Sequence, residues 1–303
     1  MRAIRVGQQP VVHPGLDPSL GDNINGPSLI RVPEWIERPL GRYYLYFAHH
    51  RDSFIRLAHA DRLEGPWSIH SPGALDVEIS TCLDHVASPD LHASPSRREL
   101  WMYFHGVTLH DDTRPDPHRN AIDTLHPIVQ RTKLATSSDG LRFRARGEVL
   151  GPSYFRVFRW RDSSYALAMP GLLYRSEDGI TGFVRGPQLF GDDTRHCAVC
   201  VRDETLHVFF SRAGDCPESI LHATVALEPD WREWHASEPR VLLEPELAWE
   251  GAELSLAPSE RGQARGPLRQ LRDPAVFEDE GETYLLYSGA GESGIGIARL
   301  EGL

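Results

Sequence analysis

The chain has 303 residues, with 32 Lys and Arg against 43 Asp and Glu and a formal net charge of −11. The positive charge is carried almost wholly by arginine and the isoelectric point is near 5.7, which argues against a nucleic-acid partner, because phosphate binding draws on clustered Lys and Arg. The start, Met1-Arg2-Ala3-Ile4-Arg5-Val6, has no apolar core of signal-peptide length, and no stretch approaches about 20 apolar residues, so a soluble, cytoplasmic protein without membrane contact is expected.

Taken in chain order, one phrase recurs five times: an aromatic-rich strand and, after a variable loop, a strand ending in small residues. The first copy reads Tyr44-Leu45-Tyr46-Phe47 and then Ile55-Arg56-Leu57-Ala58; the second reads Trp101-Met102-Tyr103-Phe104 and then Thr132-Lys133-Leu134-Ala135. The third is Tyr165-Ala166-Leu167-Ala168 with Leu172-Leu173-Tyr174-Arg175, the fourth His207-Val208-Phe209-Phe210 with Ile220-Leu221-His222-Ala223, and the fifth Tyr284-Leu285-Leu286-Tyr287 with Ile295-Gly296-Ile297-Ala298. Such spacing suits one four-stranded sheet per copy, and sheets this small must stack around a common axis to bury both faces. The expectation is all-β: a single five-bladed β-propeller domain over 1–303, with antiparallel four-stranded blades at roughly 23–75, 86–150, 152–190, 194–245 and 271–300. Residues 2–7 are candidates for the missing outer strand of the last blade. Cys197 and Cys200 form a C-x-x-C, but i and i+3 on a strand point to opposite faces, so buried thiols are expected rather than a metal or redox pair.

In a propeller the beginning of each inner strand and the end of the next strand share one face of the disc. Blade one then brings Asn25, His49 and His50 to that mouth, and blade two Asp90 and His105. Blade three brings Arg156, blade four Arg195, His196 and Arg212, and blade five Arg272 and Asp273, with Glu292 just beyond. Histidine and arginine converging on one rim suit ligand chemistry. The insertion Trp249-Glu250-Gly251-Ala252-Glu253 could fold over the mouth and add Glu253.

These phrases resemble the five-bladed propellers of glycoside hydrolase families 43, 32, 117 and 130. Gly26-Pro27-Ser28-Leu29-Ile30 before Tyr43-Tyr44-Leu45-Tyr46-Phe47 is similar to the family 43 opening blade, Ser88-Pro89-Asp90-Leu91-His92 to its second inner strand, and Arg272-Asp273-Pro274 to an "RDP" inner strand. The resemblance implies glycosidic-bond cleavage by a base on blade one, a pKa-modulating Asp on blade two and an acid Glu on blade three. Only the second carries over, onto Asp90: the base position falls on Asn25 or Gly26, and blade three reads Gly151-Pro152-Ser153-Tyr154-Phe155-Arg156 without a Glu.

The expected machinery is therefore Asp90 and Asp273 as central carboxylates with His196 as proton donor, in analogy to family 117, where a histidine has been considered for that role. Asn25, His49, His50, His105, Arg156, Arg195, Arg212, Arg272 and Glu253 are the expected substrate-binding residues, and the arginines suggest an acidic sugar, since guanidinium captures carboxylate or phosphate in bidentate fashion. The partner is a small-molecule or oligosaccharide substrate. An axial metal ion, for example calcium, stays open as a cofactor. Elimination from a uronate-like substrate, a tailoring reaction, and a sugar-binding propeller without catalysis remain as alternatives.

Overall fold

The computed structural model describes residues 1–50, 53–108, 116–120, 123 and 129–303. Aliphatic and aromatic residues fill the recurring strands on both faces because every sheet is sandwiched between two others, and successive side chains of a strand point to opposite faces. Tyr44 and Tyr46 pack toward Leu91, Met102 and Phe104 of the second blade, whereas Leu45 and Phe47 pack toward Ala275, Phe277 and Leu286 of the fifth. The same division gives Tyr103 and Phe155 one cluster, Phe158, Val208 and Phe210 another, and Phe209, Leu285 and Tyr287 a third. Five apolar clusters, one per seam, thus hold five blades around the axis, and each fully buried aromatic contributes about 1.5–3 kcal/mol.

Blade one is built from Asn25–Arg31, Tyr43–Ala48, Phe54–Ala60 and Ser68–Ile69, and blade two from Val86–Ser94, Glu99–Thr108, Val129–Ser137 and Arg144–Ala145. Blade three has Arg156–Trp160, Ser163–Ala168, Leu172–Ser176 and Val184–Gln188. Blade four has Thr194–Arg202, Thr205–Arg212, Ile220–Ala226 and Arg240–Leu243. Blade five takes three strands from the end of the chain, Arg272–Asp279, Glu282–Gly289 and Gly294–Glu301, and its outer strand, Arg2–Arg5, from the beginning. All pairings within the blades are antiparallel, inner to outer. The N-terminal strand runs from Arg2 opposite Glu301 to Arg5 opposite Ala298 and closes the ring.

Cys197 and Cys200 lie on opposite faces of one inner strand, in two different seams, and all four cysteines are free thiols. Among the described residues no helix is long and apolar enough to cross a membrane.

Candidate functional site

Four inner strands carry the same irregularity at the mouth. Their ladder to the second strand shifts register between Asn25 and Ser28, Ala87 and Asp90, Thr194 and Cys197, and Arg272 and Ala275. Such a bulge re-aims side chains at a barrel rim or active site. The skipped pairs are Gly26-Pro27, Ser88-Pro89, Arg195-His196 and Asp273-Pro274, and Tyr154-Phe155 precedes the inner strand of blade three in the same way. Gly26, Ser88, Tyr154 and Asp273 all have left-handed backbones, with φ of 58°, 50°, 67° and 52°. Glycine accepts this conformation freely, whereas each non-glycine residue held there costs on the order of 1–3 kcal/mol. Asp273 therefore occupies in blade five the position that Gly26 occupies in blade one. Of the two blade-one positions expected to hold a base, Gly26 has no side chain and Asn25 carries an amide that contacts Asn23 and His50, and the neighbouring blade carries the carboxylate.

Asp273 is 1% exposed. The Tyr154 hydroxyl donates to its Oδ1 at 2.8 Å. His196 Nδ1 lies 2.6 Å from the same oxygen. Asp273 Oδ2 is buried with no partner. Burial pushes the Asp273 carboxyl up, but His196, Arg272 and the Tyr154 hydroxyl overcome it and hold the group well below the usual carboxylate range. Burial lowers His196 from its ordinary value and outweighs the pull of Asp273, a direction that does not favour its expected role as proton donor.

The rest of the mouth closes into a ring. The Tyr154 and His196 rings meet at 4.2 Å, tilted by 30°, and His105 lies 5.0 Å from Tyr154. His85 bridges His105 and His50 at 6.3 Å to each. His50 Nδ1 is 2.9 Å from Glu292 Oε2 and from Asn25 Nδ2, and Asn23 Nδ2 donates to Glu292 Oε2 at 2.5 Å. Arg272 completes the circle beside Asp273, donating to Glu292 at 3.0 Å, to Glu218 at 2.7 Å and to Gln270. Burial raises the Glu292 carboxyl, but His50 and Arg272 bring it below its ordinary value against the repulsion of Asp273. His105 is buried and pushed far below the usual imidazole range, first by burial and then by the neighbouring His85 and His196. His49 is buried just past the second strand of blade one.

The expected arginine rim does not form. Arg272 and Arg195 are 1% and 2% exposed and both are held by Glu218, which stands 3.5 Å from Arg195 Nε. Arg195 also donates to the carbonyls of Glu260 and Gly262, in the stretch that follows the insertion 249–253. Glu253 is exposed on it, and the buried glutamate there is Glu250, bound to Arg5 and Tyr287. Arg212 is partly exposed and pairs with Asp215 at 3.3 Å. Arg156 donates to the carbonyls of Ser88, Pro89 and Cys197. These guanidinium groups bond to internal acceptors, so their arrangement lends no support to the expected acidic sugar.

Asp90 is a second departure. Its Oδ2 accepts from Val157 N and pairs with His92 Nε2, each at 2.8 Å, and it lines the channel beyond the bulges rather than the Asp273 ring. Burial raises its pKa, but His92, Arg156 and Val157 N hold it below the usual range. Glu218, Tyr154, His85, Asn23 and Gln270 belong to the ring without having been assigned a role from sequence, and Glu292 was placed near the mouth without one. Among the described residues no group of three or more His, Cys, Asp or Glu is placed to hold a metal ion. The mouth offers His196–Asp273 and His50–Glu292, two donors apiece.

No protein-family model matches the chain. An uncharacterized protein of Acanthamoeba polyphaga mimivirus is 33% identical over 314 residues, 92% of this chain and 83% of its own length. Among solved structures the chain is similar to a family 43 β-xylosidase/α-arabinofuranosidase from a compost microbial metagenome, in complex with xylotriose, with a TM-score of 0.61, 13% identity and coverage of 99% of this chain and 95% of that one. A family 43 enzyme of Xanthomonas citri gives 0.61 at 12% identity, covering 97% and 90%. An endo-1,4-β-xylanase of Bacteroides thetaiotaomicron gives 0.59 at 12%, covering 96% and 91%. At these identities the likeness is one of fold: the five-bladed propeller of the family 43 glycoside hydrolases.

Proposed function

We propose, for a chain that belongs to the same family as the mimivirus protein, that it is a glycoside-hydrolase-like enzyme that binds a sugar at the propeller mouth and transfers a glycosyl group to water. The observation that carries this reading is the free Oδ2 of Asp273. An ionised carboxylate with one oxygen fixed by Tyr154 and the other unpartnered is a proton acceptor that a bound water or hydroxyl can complete. Tyr154 and His196 fix its orientation. His50, whose side chain is 32% exposed and whose Nδ1 lies 2.9 Å from Glu292 Oε2, is placed to reach a leaving oxygen, and imidazole is a side chain suited to proton transfer. The stacked rings of His50 and His85 offer flat faces to a sugar ring. The xylotriose complex of the compost enzyme supports the choice of an oligosaccharide as first probe.

The test is turnover of aryl glycosides and neutral oligosaccharides by the wild type, Asp273→Asn and Glu292→Gln, with products followed by mass. Addition of water by the wild type, with a loss of about 10²–10⁴ in kcat for Asp273→Asn, is the expected outcome. Product lighter by one water would replace hydrolysis by elimination. Sugar binding without turnover, unchanged in Asp273→Asn, would make the mouth a binding site instead.

A further inference from the structure

A long irregular segment borders the mouth. Residues 251–271, between the turn Ala248–Glu250 and the inner strand Arg272–Asp279, hold no helix or strand, a length that compact domains keep for binding loops and lids. Its two ends are fastened: Glu250 is buried against Tyr287, and Leu271 N donates to Glu218 O at 2.9 Å. Its middle crosses from blade four to blade five. On blade four, Ser259 N donates to Asp215 O at 2.9 Å and Ser259 Oγ to Arg212 O at 2.9 Å, while Gly214 N donates to Ser259 O and Oγ at 2.9 and 3.1 Å. On blade five, Leu268 N donates to Ala290 O at 3.2 Å. Between these pins, among the described residues, no backbone–backbone hydrogen bond holds 260–267. Guanidinium groups hold the span instead: Arg195 on the Glu260 and Gly262 carbonyls, Arg272 on the Gly262 carbonyl at 3.3 Å, and the span's own Arg261 on the Asp192 carbonyl.

Gln263, Ala264 and Gly266 of this span face Asp22, Asn23 and Glu292 across a gap of about 10 Å³, the room of a single water. Such a gap passes no sugar ring, yet the unpartnered Oδ2 of Asp273 lies buried beside Arg272 and Glu292. We propose that the span 260–267 is a gate on the blade four–five side of the mouth, which swings off Arg195 and Arg272 to let a ligand reach Asp273. Gly262 and Gly266 are its pivots. Their φ are +85° and +97°, with nothing within 4 Å of where a Cβ would stand, so the chain turns there in open space and in a region that glycine occupies freely. The latch is made of neutral carbonyls, and Arg195 and Arg272 keep Glu218 when it is released. Opening therefore strips no buried charge of its counter-ion, and a span held by so few bonds opens without the blades unfolding. The gate concerns access to Asp273 and holds whatever ligand the mouth takes.

Hydrogen–deuterium exchange of the full chain, read by mass spectrometry, and acylation of its histidines by diethylpyrocarbonate test the gate without any sugar. A failure of the gate and a failure of the glycosidase reading are thereby told apart. Ser259→Ala removes two hydrogen bonds at the blade-four pin and leaves the side chains of the mouth in place. The amides of 259–267 are then expected to exchange about tenfold faster, the effect of losing bonds of that strength, with those of Arg272–Asp279 unchanged. His196, buried beside Asp273, should be acylated faster by the same factor, and His222, on the third strand of blade four, should not. Arg261→Ala, which frees the span from Asp192, should act in the same direction. Exchange of the span that neither variant alters, or faster exchange with unchanged acylation of His196, would overturn the proposal. So would acylation of His196 in the wild type as fast as that of the partly exposed His50.

Discussion

Glu218 decides what the arginines at the mouth can do. It is fully buried and accepts from Arg272 at 2.7 Å and from Ser211 Oγ at 2.7 Å while standing beside Arg195. Two guanidinium groups, Arg195 and Arg272, then face three carboxylates, Asp273, Glu218 and Glu292, so the cluster stays close to neutral and Asp273 keeps its charge. Glu218→Gln removes the carboxylate that Arg195 and Arg272 share, leaving Arg272 its Glu292 contact but taking from Arg195 its counter-ion; breaking a buried pair in this way costs about 3–5 kcal/mol. Urea denaturation is expected to show the midpoint falling at unchanged slope, and a change under 1 kcal/mol would mean that Glu218 is not the counter-ion. Asp273 and His196 were legible from sequence because the inner-strand register alone brings them to the axis. The occupation of the arginines was not. Glu218 and Glu292 reach Arg272 from loops 54 and 20 residues away in the chain, and no local pattern marks a loop glutamate as a counter-charge.

At the scale of the element, two blades lean on the preceding one through the same turn. Ser137, Asp139 and Gly140 in blade two, and Ser176, Asp178 and Gly179 in blade three, form turns in which the serine hydroxyl accepts from the glycine N–H at 2.9 and 3.1 Å. The Tyr46 and Tyr103 hydroxyls of the preceding blades donate to the Gly140 and Gly179 carbonyls at 2.7 and 2.5 Å. Tyr46→Phe deletes one such bond and is expected to cost about 0.5–1.5 kcal/mol. Gly140 has φ +74°, and a Cβ there would sit 2.9 Å from the Tyr46 oxygen, so Gly140→Ala combines a left-handed penalty of about 1–2 kcal/mol with a clash. In the Tyr46→Phe background the clash with oxygen disappears. A double-mutant cycle by chemical denaturation should therefore find the second substitution cheaper there; strict additivity would show that the two residues do not meet. The five copies were readable from their strands because period-two burial on both faces leaves a strong aromatic and aliphatic pattern. The turn that couples neighbouring blades uses three small polar residues, which carry no hydrophobic signal.

The whole molecule depends on joining its two ends. Arg5, on the closing strand, donates to both oxygens of Glu250 at 2.7 and 2.8 Å, and Glu250 is fully buried against Tyr287. Arg5→Ala leaves that carboxylate without its cation in the blade four–five seam, and a loss of about 3–5 kcal/mol is expected by urea denaturation. An unchanged midpoint would mean that the N-terminal strand is dispensable for closure. Residues 2–7 could be assigned as the outer strand because the fifth copy lacks one, whereas Glu250 sits in an irregular insertion without periodicity. The same burial that makes the seams also sets how the molecule responds to acid. His105 and His196 are lowered first by burial, and His222 is lowered to about 4 by burial and then by His207. Below the ordinary histidine value of 6.5 the unfolded chain takes up protons that the folded chain refuses, so the unfolded state is favoured as pH falls. Stability contributed by these neutral histidines is complete above pH 6.5 and is lost from there down to their folded values. Asp90, Asp139, Asp178 and Asp273, all lowered in the fold, add a second loss in the same direction beginning near their ordinary value of 3.8. Unfolding free energy measured at pH 7.5, 6.5, 5.5 and 4.5 should be level over the first step and fall over the next two. His222→Gln should flatten that fall, because one of the refusing groups is gone. A wild-type curve that is flat or rising between pH 6.5 and 4.5 would show that these histidines take up protons inside the fold, and the ring of imidazoles around the mouth would then be a charged one.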